Sequence, residues 1–143
     1  MSHWQSKAKI TTADREFSLI VRELAGWKCQ YRFKCRGAMN YKETGYEGSL
    51  TCSHFEKRAK RSVRFDLENC DAACRTCHGW VEDTAEGQAA LKVWKMEQLD
   101  GIRYTNLILR ANLPRQQKMD KKMETLYVRE LRKQLVAEGK LKP

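Results

Sequence analysis

Six cysteines and two histidines are the residues of this chain best suited to chemistry. Cys74-Arg75-Thr76-Cys77 is a Cys-x2-Cys knuckle, a spacing that lets two thiolates meet one metal ion from a single tight turn. Upstream, Cys29 and Cys35 form a looser Cys-x5-Cys pair. Together the four supply the thiolates of a closed tetrahedral zinc site. Cys52 and Cys70 read first as buried thiols, although either could replace a member of that set. A cysteine cluster in a reducing compartment points to metal before disulfides, and the polar, charged N-terminal stretch does not read as an export signal. The cytoplasm is therefore the expected location.

Around the knuckle stand His54, Asn69 and His78. Each residue type suits phosphodiester hydrolysis. A neutral imidazole takes a proton from water near neutral pH. A divalent cation stabilises the departing alkoxide, and an asparagine carboxamide can hold the base in position. The spacing lets all three face one cleft. His3, in a loose terminus, reads as exposed and without a role.

Lys57, Arg58, Lys60, Arg61 and Arg64 crowd the segment between His54 and Asn69, and the whole chain carries a formal charge of +10. Such a surplus favours a polyanionic partner, and a basic loop beside a hydrolytic centre would grip backbone phosphates. Nothing in the pattern reads bases. The tail from Arg115 onward is also basic and either extends that footprint or forms a solvated helix face. No apolar run is long enough to span a bilayer.

A length of 143 residues suits one domain. Thr11 and Asp14 form a capping-box pattern, with Phe17, Ile20, Val21 and Leu24 on one face of a helix over 12–26 that Gly26 ends. Residues 27–53 are aromatic and glycine-punctuated, as in knuckles and hairpin strands. Residues 54–68 read as a basic loop and 69–73 as a short strand, with a helix starting near Cys74. The remainder, 84–143, reads as helices. Ala90, Val93 and Trp94 form one stripe, Gly101 interrupts it, and a short helix follows over 102–112. Met119, Met123, Leu126, Tyr127, Leu131 and Leu135 mark a long last helix whose stripe is expected to pack in the core.

These motifs resemble the HNH (ββα-metal finger) endonuclease superfamily, most closely the phage NinG/Rap recombination endonucleases. Ala13-Asp14 and Phe17-Ser18 followed by Arg22 are similar to that family's "AD..FS...R" stretch. Ser53-His54-Phe55 with Arg58 resembles "GHF..R", and Arg64-Phe65-Asp66 with Asn69 resembles "RfD..N". The resemblance runs roughly over residues 12–135 and is strongest over 13–29 and 51–78. It implies an α+β fold: a small zinc-stabilised ββα-metal finger over 27–83, an N-terminal helix and a C-terminal helical extension. It further implies a DNA endonuclease acting on branched, Holliday-junction-like recombination or replication intermediates in a bacterial host or phage-infected cell. His54 would be the general base, Asn69 its orienting partner and His78 a ligand of catalytic Mg²⁺ or another divalent ion, while Arg58 would contact phosphate. Coordinated cutting of a junction would suit a homodimer. Three features depart from the family. Thr51 stands where it carries Asp and Ser53 where many HNH enzymes carry it instead, the knuckle ends Cys77-His78 rather than Cys-Asn, and the first cysteine pair is wide. Glu56, Glu82 and Asp83 are the nearby carboxylates, each read first as surface charge. The alternative is a zinc-containing DNA-binding protein on the same scaffold with weak or absent cutting.

Overall fold

The computed structural model describes residues 9–35, 39–114 and 119–143; His3, Arg115 and Lys118 lie outside them. The architecture is α+β, with five helices and one two-stranded antiparallel sheet among the described residues. No helix among them is long and apolar enough to cross a membrane.

Helix α1 (Thr12–Leu24) begins with the capping box: the Asp14 N–H donates to Thr11 Oγ1 and the Thr11 N–H to the Asp14 carboxylate. Its buried face is Ala13, Phe17, Ile20 and Val21. Gly26 and Trp27 both take positive φ, 65° and 60°, and turn the chain into the first cysteine segment. Strands β1 (Leu50–His54) and β2 (Cys70–Cys74) pair in a register that sets Leu50 opposite Cys74 and His54 opposite Cys70.

Side chains alternate across a strand, so the hairpin has two distinct faces. Leu50, Cys52 and His54 share one with Cys70, Ala72 and Cys74, and α1 packs beside it through Phe17, whose ring meets Phe65 edge-on at 5.6 Å. Thr51, Ser53, Asp71 and Ala73 share the other, covered by α2 (Arg75–Asp83) and α3 (Ala85–Gln98). There Tyr31 donates from its hydroxyl to Ser53 Oγ at 2.8 Å and stacks edge-on against Trp94. Lys95, buried, pairs with Asp71 and donates to the Glu68 carbonyl.

Thr84 ends α2 and caps α3, its Oγ1 accepting from the Gly87 N–H at 2.8 Å. This corner admits only glycine at 87, since a Cβ there would lie 2.0 Å from the Trp80 carbonyl oxygen. Asp100 caps α4 (Gly101–Ala111) and Asp120 caps α5 (Lys121–Ala137). A second, smaller apolar cluster joins Val63, Leu99, Leu107 and Ala111.

Two stripes differ from expectation. In α5 the buried positions are Glu124, Val128 and Leu135, while Met123, Leu126 and Tyr127 are half exposed. Helix α1 covers α5 along one side, anchored by Arg129–Glu16 and Arg132–Glu23 ion pairs, and this turns the helix about one position from its most apolar face. In α3 the inward positions are Gly87, Leu91 and Lys95, and Val93 is exposed. Leu91 and Trp94 pack into the core from this helix, and pairing with Asp71 lets Lys95 be buried beside them.

Candidate metal and active site

The turn after α1 and the junction of β2 with α2 bring Cys29, Cys35, Cys74 and Cys77 together, their sulfurs all within 4.8 Å of one another. The Cys35 and Cys77 sulfurs are 3.8 Å apart. A tetrahedron with metal–sulfur bonds of about 2.3 Å has edges of about 3.8 Å. Backbone donors point at the cluster: the Lys34 N–H reaches Cys77 Sγ at 3.2 Å, and the Cys77 N–H reaches Cys74 Sγ at 3.4 Å. A left-handed residue, Arg32 at φ 58°, shapes the wide x5 loop so that both its ends reach the knuckle. This donor set fits a metal such as zinc.

The thiols respond to the crowding. At Cys29 burial pushes the thiol up, but the Arg32 and Cys74 N–H groups, the Cys35 side chain and the Tyr31 N–H outweigh it and hold the group below its ordinary value. Burial pushes Cys77 well up, as do the neighbouring sulfurs. Tyr41 rests on the same sulfurs, its phenol pushed up to about 12 by burial and then by the Cys74 and Cys35 charges. Several thiolates packed this closely call for a cation among them.

His54 closes β1 on the α1 face. Its Nε2 lies 2.9 Å from the Arg64 carbonyl oxygen. A carbonyl only accepts, so Nε2 carries the proton and Nδ1 keeps the lone pair. Burial pushes the imidazole down to about 4, and the Arg58 charge adds to this against the Arg64 carbonyl bond. His54 is thus neutral at physiological pH.

The loop that presents this carbonyl is clamped by Asn69, which is wholly buried. Its Oδ1 accepts from the Glu56 N–H at 2.7 Å, and its Nδ2 donates to the Glu56 and Val63 carbonyls at 2.9 and 3.0 Å. Asn69 therefore acts on His54 through the loop backbone, without a bond to the ring.

His78 sits on the other face. Thr51 Oγ1 donates to the Ala73 carbonyl at 2.7 Å and so accepts from His78 Nδ1, also at 2.7 Å. The remaining nitrogen, Nε2, lies 3.2 Å from a Glu82 carboxylate oxygen one helical turn on. Two ligands of one ion, each about 2.1 Å from it, would sit about this far apart. Thr51, where the family resemblance predicts an aspartate, fixes the ring instead of supplying a charge. The single cleft expected for the two histidines is not formed: Thr51 and His54 are three positions apart on a regular strand, so their partners fall on opposite faces.

The five basic residues separate as well. Arg64 does not face solvent. It is 3 % exposed, its Nε and terminal nitrogen donate to the two Asp14 oxygens at 2.9 and 2.6 Å, and it donates further to the Lys9 carbonyl. Its guanidinium is consumed by the fold, so it is removed from the phosphate-binding set. Arg58 lies 3.8 Å from the same carboxylate and Arg61 4.0 Å from Glu124. Lys60 reaches Asn112, and Lys57 is exposed.

Three features of the site stand out in the fold more than in the sequence. Glu82 reads as surface charge, although its i, i+4 spacing from His78 on a helix is a visible signal. Asp14 reads only as a cap, and its link to Arg64 spans fifty positions with no local signal. Cys52, His54 and Cys70 also gather, their ligand atoms all within 4.8 Å of one another. Comparison of the chain with protein-family models, with curated proteins and with solved structures found no match.

Proposed function

We propose that this chain is a metal-dependent DNA endonuclease of the HNH type that hydrolyses phosphodiester bonds, with branched recombination or replication intermediates as its substrate class. The observation that carries this reading is His54: a neutral imidazole whose Nε2–H is anchored on a loop carbonyl and whose Nδ1 keeps a lone pair. A free lone pair is one requirement of a general base, and a pKa of about 4 makes His54 a weaker base than an ordinary imidazole. The four-cysteine cluster beneath the hairpin and the Asn69 clamp add support, since both hold the hairpin and its loop in fixed geometry.

In this reading His54 Nδ1 accepts the proton of the attacking water. The Arg64 carbonyl steadies the imidazolium that forms, and Asn69 keeps that carbonyl in place. His78 and Glu82, on the opposite face of the hairpin, would hold a divalent ion, with Thr51 fixing the ring of His78. Bound there, such an ion would supply positive charge to a phosphate oxygen on that face, not to the phosphate beside His54. An imidazole ligand suits Mn²⁺ or Zn²⁺ better than Mg²⁺. Lys57, Lys60 and Arg61, with Arg58 nearer the base, form the basic edge that would meet backbone phosphates.

One observation favours a second reading, a zinc-stabilised DNA-binding protein without cutting: His54 and His78 occupy opposite faces of the hairpin. A plasmid-nicking assay with Mg²⁺ and Mn²⁺ separates the two. Under the first reading the wild type nicks and His54→Ala loses about 10²–10⁴-fold in rate with DNA affinity retained. Failure of the wild type to cut plasmid or junction DNA with either ion, together with a gel shift on junction DNA, would establish the second.

A further inference from the structure

We propose that Cys52, His54 and Cys70 form a second metal site, distinct from the four-cysteine cluster, that takes a thiophilic ion of the zinc class. The hairpin builds it. Cys52 and His54 alternate onto one face of β1, and Cys70 stands directly opposite His54 on β2, so two sulfurs and an imidazole nitrogen converge within 4.8 Å. Two thiolates and one imidazole leave a fourth position for water, the ligand count of an open zinc site.

The surroundings of His54 are those of a metal ligand. A ligating histidine characteristically donates its other N–H to a carbonyl or carboxylate, which fixes ring orientation and tautomer. His54 does so to the Arg64 carbonyl at 2.9 Å, which leaves Nδ1 as the donor atom. That carbonyl is itself held rigidly, because Arg64 is locked to Asp14 by two bonds and its loop is clamped by Asn69.

Neither a disulfide nor simple packing suits the cysteine pair as well. A disulfide would link diagonal positions, since Cys52 pairs with Ala72 and not with Cys70. Diagonal neighbours lie about 7–8 Å apart, beyond the Cα separation a disulfide spans without backbone movement. Packing of thiols accounts for burial but not for an imidazole nitrogen within 4.8 Å of both sulfurs.

Occupancy has a consequence that rests on the reading of His54 as the base. The ion would take the nitrogen that must accept a proton, so zinc at this site would switch cutting off.

The test is a metal count. Protein purified under reducing conditions is equilibrated with zinc, desalted and assayed by mass spectrometry of the metal. In a His78→Ala parent, which removes the other imidazole site, two zinc ions per chain are expected, falling to one when Cys52→Ala or Cys70→Ala is added, each with an unchanged circular dichroism spectrum. Cys52 is only half buried, so its variant carries the test if Cys70→Ala does not fold. A parent that takes one zinc and no second, or cysteine variants that keep both, would overturn the proposal. The count does not depend on nuclease activity, so it decides the second site even for a protein that cuts no DNA.

Discussion

Replacing Arg64 with alanine separates a structural guanidinium from a DNA-binding one. The substitution deletes the two bonds to Asp14, at 2.9 and 2.6 Å, and the bond to the Lys9 carbonyl. It leaves the Asp14 carboxylate, 8 % exposed, without its main partner. Removing one member of a buried pair costs about 3–5 kcal/mol, because the other charge is stranded. Arg58, 3.8 Å away, takes up part of that charge, so a loss near about 3 kcal/mol is expected. Urea denaturation followed by circular dichroism at neutral pH reads this as a lower midpoint with an unchanged slope. Lys57→Ala, an exposed control, should stay within about 0.5 kcal/mol of wild type. The pair also predicts acid behaviour. Burial raises the Asp14 carboxyl, but the Arg64 bond and the Thr11 N–H outweigh it and hold the group below its ordinary 3.8. A folded-state value below the unfolded one means that the stabilisation is complete above about 3.8 and is lost as pH falls through the folded-state value. Arg64→Ala should therefore lose less stability on acidification than wild type does. A change under about 1 kcal/mol at neutral pH, combined with weaker DNA binding, would refute the reasoning and return Arg64 to the interface.

Asn69→Ala should destabilise the chain by about 2–4 kcal/mol, from three lost bonds at roughly 1 kcal/mol each plus stranded partners. Asn69→Asp should fare no better, since an acceptor-only carboxylate would face two carbonyls; wild-type stability of the Asp variant in thermal melts would disprove the clamp. Cys74→Ser should lose zinc and unfold the domain, because such binding energy is folding energy; well-folded protein with no metal by elemental analysis would end the zinc assignment. If His78 and Glu82 share an ion, His78→Ala and Glu82→Gln should each raise the Mn²⁺ concentration for half-maximal cutting by about tenfold or more. An unchanged metal dependence in both would exclude that pair. Alanine at Lys57, Lys60 and Arg61 together should flatten the log affinity–log salt slope by about 0.9 for each phosphate no longer neutralised, and an unaltered slope in a gel-shift series would remove this loop from the interface.

Local chemistry alone determined much of this protein. The capping box at Thr11 and Asp14, the start of α2 at the second knuckle, the break before Gly101 and the order of the elements follow from short-range rules of caps, turns and periodicity. The four-cysteine cluster was legible too, because thiolates have few other uses at that spacing. What the sequence could not convey is which face of each element turns inward. That is decided by partners far away in the chain. Lys95 is buried against Asp71 and Arg64 against Asp14, so a basic residue that reads as a phosphate contact becomes an internal strut. The strand alternation was implicit in the spacing of Thr51 and His54, yet the separation of the two histidines became visible only once α1 and α2 were seen to pack on opposite faces of the hairpin. The same packing brings Cys52, His54 and Cys70 together. Periodicity is a local property, whereas facing is settled by which long-range pairs satisfy buried charge and polar groups at the lowest cost in free energy.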